Sequence, residues 1–234
     1  MIWVGIDDTD VEGSRGTNQL ARAIVARLAP EYRCVRIVRH QLLDDPRVPC
    51  TTKNGSASIA LEPTGESDLA ELAARCRDMM LADYIDGSDP GLCVTTTVPV
   101  AVTDFGLRCQ RELIEQEEAY EVARRQGLYL EGLGGTNGGV IGALAAVGLA
   151  TTGDDGRIVQ LGEWPDDLSG VRTIGSLRDR DVVVRRISAG EKIDEGTVDV
   201  GKRLRPNRCR GENVLFVEAT PHEEPLSWKA LKLP

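Results

Sequence analysis

A chain of 234 residues, 41 % hydrophobic and 28 % charged, is long enough to bury a sizeable core as one large domain or a main domain with an appendage. A net charge of −9 and a pI near 4.9 exclude a global field that would draw in nucleic acid or an anionic membrane. No run approaches the roughly 18 uninterrupted apolar residues of a membrane span, and no basic, apolar leader precedes the first strand, which predicts a cytoplasmic protein without a membrane partner.

Residues 2–21 read IWVGIDDTDVEGSRGTNQLA. A short apolar strand, Ile2 to Ile6, ends in Asp7, Asp8 and Asp10; a loop with Gly13, Ser14, Arg15 and Gly16 follows, and Thr17 opens a helix. Carboxylates crowded at a strand end repel one another, which points to a cation among them. Mg²⁺ suits the place, since it takes one or two carboxylates and shares its remaining shell with water and phosphate oxygens. The free N–H groups and positive dipole end of the following helix suit a phosphate. The plainer alternative is an acidic turn whose Asp and Thr cap a helix.

The helix at 17–29 carries Leu20, Ala21, Ile24, Val25 and Leu28 at helical spacing. Strands are predicted from Cys34 to Arg39, Ser56 to Leu61 and Gly91 to Val98, with a helix from Ser67 to Ala82. The order β-α-β-β-α-β is that of a ferredoxin-like split motif. One or two charged helices span Thr103 to Gln126. Then GLGGTNGG at 132–139 leads into VIGALAAVGLA, a Gly-rich loop and a helix whose small residues imply close packing. Short β runs follow at 157–161, 181–186 and 214–218. A soft boundary at the WPDDLSG turn near 168–171 divides a domain of 1–169 from a small β-rich part of 170–234, whose last dozen residues read as a surface tail with Pro221, Pro225 and Pro234. The fold class is therefore α+β.

Glycines immediately before a helix let backbone N–H groups approach a phosphate, although neither a Walker A motif nor a dinucleotide fingerprint is present. Read with the acidic strand end, Gly138, Gly139 and Gly142 become candidates for nucleotide contact. Arg15, Arg39 and Lys53 are candidate phosphate partners. The six cysteines form no CxxC, and His40 and His222 stand far apart, so no zinc site is expected. Cys50, in a polar loop, is the one cysteine not read as filler. The run KRLRPNRCR at 202–210 is a solvated basic turn or an RNA contact. The Asp8/Asp10 pair also fits a haloacid-dehalogenase-type phosphatase, but the chain lacks the parallel βα repetition of that fold.

The run GIDDTD, with Thr17 seven residues after Asp10, resembles the archaeal synthetases (TiaS) that make agmatinylcytidine in an isoleucine tRNA anticodon. Three further blocks agree in order, RIVR at 36–39, PRVPCTTKNGSAS at 46–58 and GGVIGALAAVG at 138–148, with DPG at 89–91 between them. The resemblance covers roughly 2–150, the kinase-like catalytic domain of that family. It implies phosphorylation of a cytidine oxygen with ATP and Mg²⁺, followed by displacement by an amine. It also implies metal roles for Asp7, Asp8 and Asp10, a phosphorylated Thr17, phosphate contact at 138–142 and a basic contact from Lys53. Asn18 and Lys53 stand where the family usually has Thr and Arg, the loop before the Gly-rich helix is not basic, and the family's β-barrel and zinc ribbon have no counterpart. The expected activity is ATP·Mg²⁺-dependent phosphoryl transfer to an RNA cytidine or a small molecule, with Asp7, Asp8, Asp10, Thr17 and Lys53 catalytic and Arg15, Gly16, Arg39 and the glycines on the nucleotide. The alternative is a non-catalytic nucleotide-binding or regulatory protein that retains the fold.

Overall fold

The structure, a computed structural model, describes residues 1–48, 50–51, 53–164, 168–220 and 228–233. Its contacts divide it into two units, Met1–Thr152 with Val159–Gly162, and Gly153–Ile158 with Glu163–Pro234. The chain thus enters the second unit ahead of the turn near 168–171, of which 165–167 lie outside the described residues, as do Pro49, Thr52, Pro221, His222, Pro225 and Pro234.

The first unit runs β1 (Ile2–Asp7), α1 (Thr17–Leu28), β2 (Tyr32–Gln41), β3 (Gly55–Pro63), α2 (Leu69–Ala82), β4 (Gly91–Thr95), α3 (Val100–Cys109), α4 (Gln116–Gln126), β5 (Tyr129–Gly132) and α5 (Val140–Ala150). Its strands hydrogen bond in the order β5-β4-β1-β3-β2, every neighbouring pair antiparallel. Central β1 sets Val4 against both Ile59 and Val94. Strand alternation sorts the two faces. Ile2, Val4 and Ile6 join Ile37, Ile59 and Leu61 beneath α1 and α2, whose Leu20, Ile24, Leu28, Leu72, Cys76 and Met80 complete one core. Trp3 and Cys93 turn the other way, toward α3, α4 and α5. The charged segment read as one or two helices is two, α3 and α4, separated at 110–115.

Helix α5 is apolar on every side, and ten of its eleven residues are buried, as expected of a helix enclosed by its own domain. Glycine makes the enclosure possible. A Cβ on Gly5 of β1 would lie 2.0 Å from the Ala143 carbonyl oxygen, and one on Gly148 would lie 2.1 Å from that of Val102. Backbone therefore meets backbone where α5 crosses β1 and α3. This gain in close packing offsets the propensity cost of glycine within the helix.

In the second unit β7 (Val171–Thr173), α6 (Ile174–Arg178), β8 (Val183–Arg186), β9 (Lys192–Ile193), β10 (Thr197–Asp199), β11 (Asn207–Cys209), β12 (Glu212–Ala219) and β13 (Trp228–Ala230) surround Ile174, Leu177, Val184, Val198, Leu215 and Val217. Strand β6 (Arg157–Leu161) spans the division between the units. The expected surface tail is corrected in part, because Trp228–Ala230 pairs with β12 and β10. Trp228 supplies the reason: it packs on this core and lies under the Arg186 guanidinium, 5.2 Å from its ring centroid. Among the described residues no helix is long and apolar enough to cross a membrane.

Candidate functional site

Three backbone segments meet at the C-terminal end of β1. Asp89 N–H donates to the Asp8 carbonyl at 3.1 Å, and Gly139 N–H donates to the Asp89 carbonyl at 2.9 Å. The acidic strand end, the 89–91 segment and the start of α5 are thus laced side by side. Asp8 occupies the left-handed region, with φ +49°, a conformation costing a non-glycine residue about 1–2 kcal/mol. Such strain collects at functional sites. Asp7 continues the Trp3–Gly5 face of β1, so its carboxyl lies against α5, where a Cβ on Gly142 would come within 1.7 Å of Oδ2.

A cavity of about 410 Å³ opens here, within the usual range of small-molecule sites. Asp7, Asp8, Asp10, Asp89, Glu112 and Glu115 line it against two cations, Arg47 and Lys53. Burial pushes the Asp7 carboxyl up to about 7; the Asp8 N–H opposes that rise, and the charges of Asp8 and Asp10 add to it. Asp7 keeps some accessible surface through the cavity, but its surroundings are almost wholly protein. Asp8 is pushed up to about 6 by burial and then by the charge of Asp89. Asp10 is also raised by burial, with Arg15 and the Thr17 N–H partly offsetting it. A cation placed among these groups would restore their charged forms.

Among the described residues no three His, Cys, Asp or Glu side chains converge into a ready-made metal cage. Carboxylate oxygens are donors of the kind a hard divalent cation takes, one or two at a time.

The structure brings Asp7, Asp8, Asp10, Thr17, Lys53, Gly138, Gly139 and Gly142 together around this cavity. Thr17 is buried, and its hydroxyl accepts from Thr9 at 3.1 Å. Gly139 and Gly142 also serve packing, since the Asp89 carbonyl and the Asp7 carboxyl occupy the space their Cβ atoms would need. Arg15, Gly16 and Arg39 do not line the cavity. Arg15 binds Asp83, Nε to Oδ2 at 2.6 Å and Nη2 to the carbonyl at 2.7 Å, while its charge still reaches Asp10. Gly16 caps α1 without a side chain, in extended conformation. Arg39 donates to Gln41 Oε1 at 3.0 Å and acts on Asp7 only through its charge. In the basic run, Arg208 donates to Asn213 Oδ1 at 2.7 Å.

Several cavity residues were missed in the sequence. Asp89 accepts from the Thr136 N–H at 2.9 Å and from its hydroxyl, pinning the Gly-rich loop. In the sequence DPG at 89–91 is only a block of the resemblance, and its Asp is given no role. The segment joining α3 to α4 adds Glu112, Leu113, Ile114 and Glu115, followed by Gln116 of α4, and nothing in its composition places it near β1. It is brought there by Leu43 N–H, which donates to the Cys109 carbonyl at 3.0 Å, and by Gln110, which donates to the Gln41 carbonyl at 3.0 Å.

No protein-family model matches the sequence, and no curated protein matches it significantly. Solved structures do. A tRNA fluorescent labeling enzyme matches at 26 % identity and a TM-score of 0.56, over 63 % of this chain and 35 % of its own. TiaS, described as tRNAIle2 agmatidine synthetase, matches in its apo form at 25 % identity and a TM-score of 0.53, over 63 % of this chain and 35 % of its own. TiaS bound to tRNA(Ile2), AMPCPP and agmatine matches at 25 % identity and a TM-score of 0.54, over 62 % and 35 %. The chain spans about a third of the length of these proteins. The likeness to TiaS carried by the sequence motifs therefore holds in the structure.

Proposed function

We propose that this chain is an ATP- and Mg²⁺-dependent phosphoryl-transfer enzyme related to tRNA agmatidine synthetase, with an RNA cytidine or a small molecule as acceptor. The observation that carries the reading is one cavity in which the carboxylates ending β1 face the glycine-rich start of α5. The strand order β4-β1-β3-β2, with α1 and α2 on one face, supports a ferredoxin-like core, and the whole is read as cytoplasmic. Two of the TiaS structures that match hold tRNA(Ile2), one with ATP and one with AMPCPP and agmatine, which supports nucleotide and RNA as ligands here.

In this reading Asp7, Asp8 and Asp10 would hold Mg²⁺. The ion, when bound, offsets charge on the phosphate oxygens. The chain's own residues do the rest. Gly138 and Gly139 let phosphate approach the backbone at the start of α5, where the helix dipole favours negative charge. Lys53 adds a mobile positive charge, so that positioning and charge stabilisation account for transfer. Thr17 closes the site beside Asp10. Its burial and its bond to Thr9 favour a ligand or helix-opening role over that of phosphoryl acceptor, and they lend weight to the rival reading of nucleotide binding without turnover.

One experiment separates these. Thermal unfolding is followed with ATP and Mg²⁺, singly and together, alongside γ-phosphate release. A stabilisation that needs both components, with release lost in Asp8→Asn and Asp10→Asn, supports the enzyme. The same stabilisation without release selects the binding protein, and no response to any nucleotide removes both.

A further inference from the structure

Six carboxylates and two cations line the cavity, so a nucleotide needs positive charge that can be moved onto its phosphates. Both cations sit on the loop between β2 and β3. Arg47 is held there in a particular way. Its Nε donates to Asp45 Oδ1 and its Nη2 to Oδ2, both at 2.8 Å, a two-pronged pairing. The same fork geometry fits a phosphate. The side chain is 69 % exposed, and an exposed ion pair of this kind contributes little in water. The turn does not depend on the guanidinium. Arg47 N–H donates to Asp45 Oδ1 and Val48 N–H to the Asp45 carbonyl, each at 2.9 Å.

We infer that Arg47 is a phosphate-binding residue parked on Asp45: when nucleotide enters, its guanidinium leaves the carboxylate and takes phosphate oxygens. The exchange is non-covalent and rests on the nucleotide reading above. It assigns Asp45 an opposing role, that of a competitor the phosphate displaces. That competition also gives the inference its sharpest test. Asn at position 45 keeps the acceptor for the Arg47 N–H, and so the turn, but releases the guanidinium.

The experiment is calorimetric binding of Mg·ATP and of adenosine to the full chain and to Arg47→Ala, Arg47→Lys and Asp45→Asn. Arg47→Ala is expected to weaken Mg·ATP about tenfold, the worth of one charge-assisted hydrogen bond, and to leave adenosine unchanged. Asp45→Asn is expected to tighten Mg·ATP by up to about five-fold, the equivalent of the lost exposed pair. Arg47→Lys falls between Arg47→Ala and the parent, since a point charge replaces the fork. Apo melting temperatures stay close to the parent's, as for most exposed substitutions. Asp45→Asn weakening Mg·ATP as Arg47→Ala does would overturn the inference and make the pair a loop brace. Equal losses for ATP and adenosine, or no change in either variant, would overturn it too while leaving the nucleotide site standing. A parent protein that binds no Mg·ATP would remove the nucleotide reading and this inference with it.

Discussion

Replacing Asp7 by Asn should stabilise the metal-free protein, and increasingly so as the pH rises from about 4 to about 7. Burial lifts the Asp7 carboxyl from an ordinary 3.8 to about 7, so the folded state favours the neutral form. Below pH 3.8 both the folded and unfolded chains hold the proton and the residue has no pH-dependent effect. As the pH climbs, the unfolded chain ionises first and the fold loses about 1.4 kcal/mol per pH unit until the folded carboxyl also ionises near 7. The full loss is at most about 4 kcal/mol, because water entering the cavity screens part of it. Against a typical total of about 5–15 kcal/mol this is a large fraction. Asn is nearly isosteric and uncharged, so it should lead the wild type by only about 1 kcal/mol near pH 4.5 and melt several degrees higher at pH 8, at about 2–4 °C per kcal/mol. Thermal unfolding from pH 4.5 to 8.5 in chelator measures the gap. Mg²⁺ should then raise the wild-type melting temperature most at pH 8 and leave the Asn variant nearly unmoved. A gap independent of pH, or a variant less stable at pH 8, would refute the claim that Asp7 is a desolvated carboxylate awaiting a cation.

Other substitutions probe the neighbouring contacts. Gly142→Ala gains up to about 1 kcal/mol of helix propensity but drives a Cβ into Asp7 Oδ2. The carboxyl must rotate away, so the variant should fold yet lose its stabilisation by Mg·ATP in the melt. Asp89→Asn removes a charge that raises Asp8; the Asp8 pKa should fall below about 6 in a carboxyl NMR titration, and an unchanged value would mean that burial and Asp10 set it without Asp89. Leu144, fully buried in α5 among residues of α3 and α4, should cost about 2–5 kcal/mol as Leu144→Ala in urea unfolding.

The elements with one wet and one buried face were legible in the sequence. Leu20, Ile24 and Leu28 of α1 and the alternation of β2 each report a single direction to the core. The helix read from Ser67 starts two residues later, at Leu69, where Asp68 receives the Ala70 N–H at 2.7 Å as its cap. The second unit was harder. Among its strands of two to four residues, β7 to β11, only β8 falls within a run read as β, at 181–186; the rest are too short to establish a period, and β10 pairs with the distant β13, Val198 beside Trp228. Strand β13 could be recognised only by its partners.

The candidate site shows a different limit. Asp7, Asp8 and Asp10 line the cavity and stand together in the sequence as a visible charge cluster, whereas Arg15 and Arg39 do not line it, and a lone arginine carries no signal of where it goes. Arg15 is drawn to Asp83, 68 residues away in the chain, a pairing no local pattern contains. The glycines had offered two readings, phosphate contact and close packing, and the geometry shows the packing. Gly142 is small because Asp7 lies against it, and Asp7 lies there because backbone contact at Gly5 brings α5 down onto β1. The packing that encloses α5 is thus what buries Asp7 and raises its pKa, so a bulkier residue at Gly5 or Gly142 should disturb the electrostatics of the site as well as its shape.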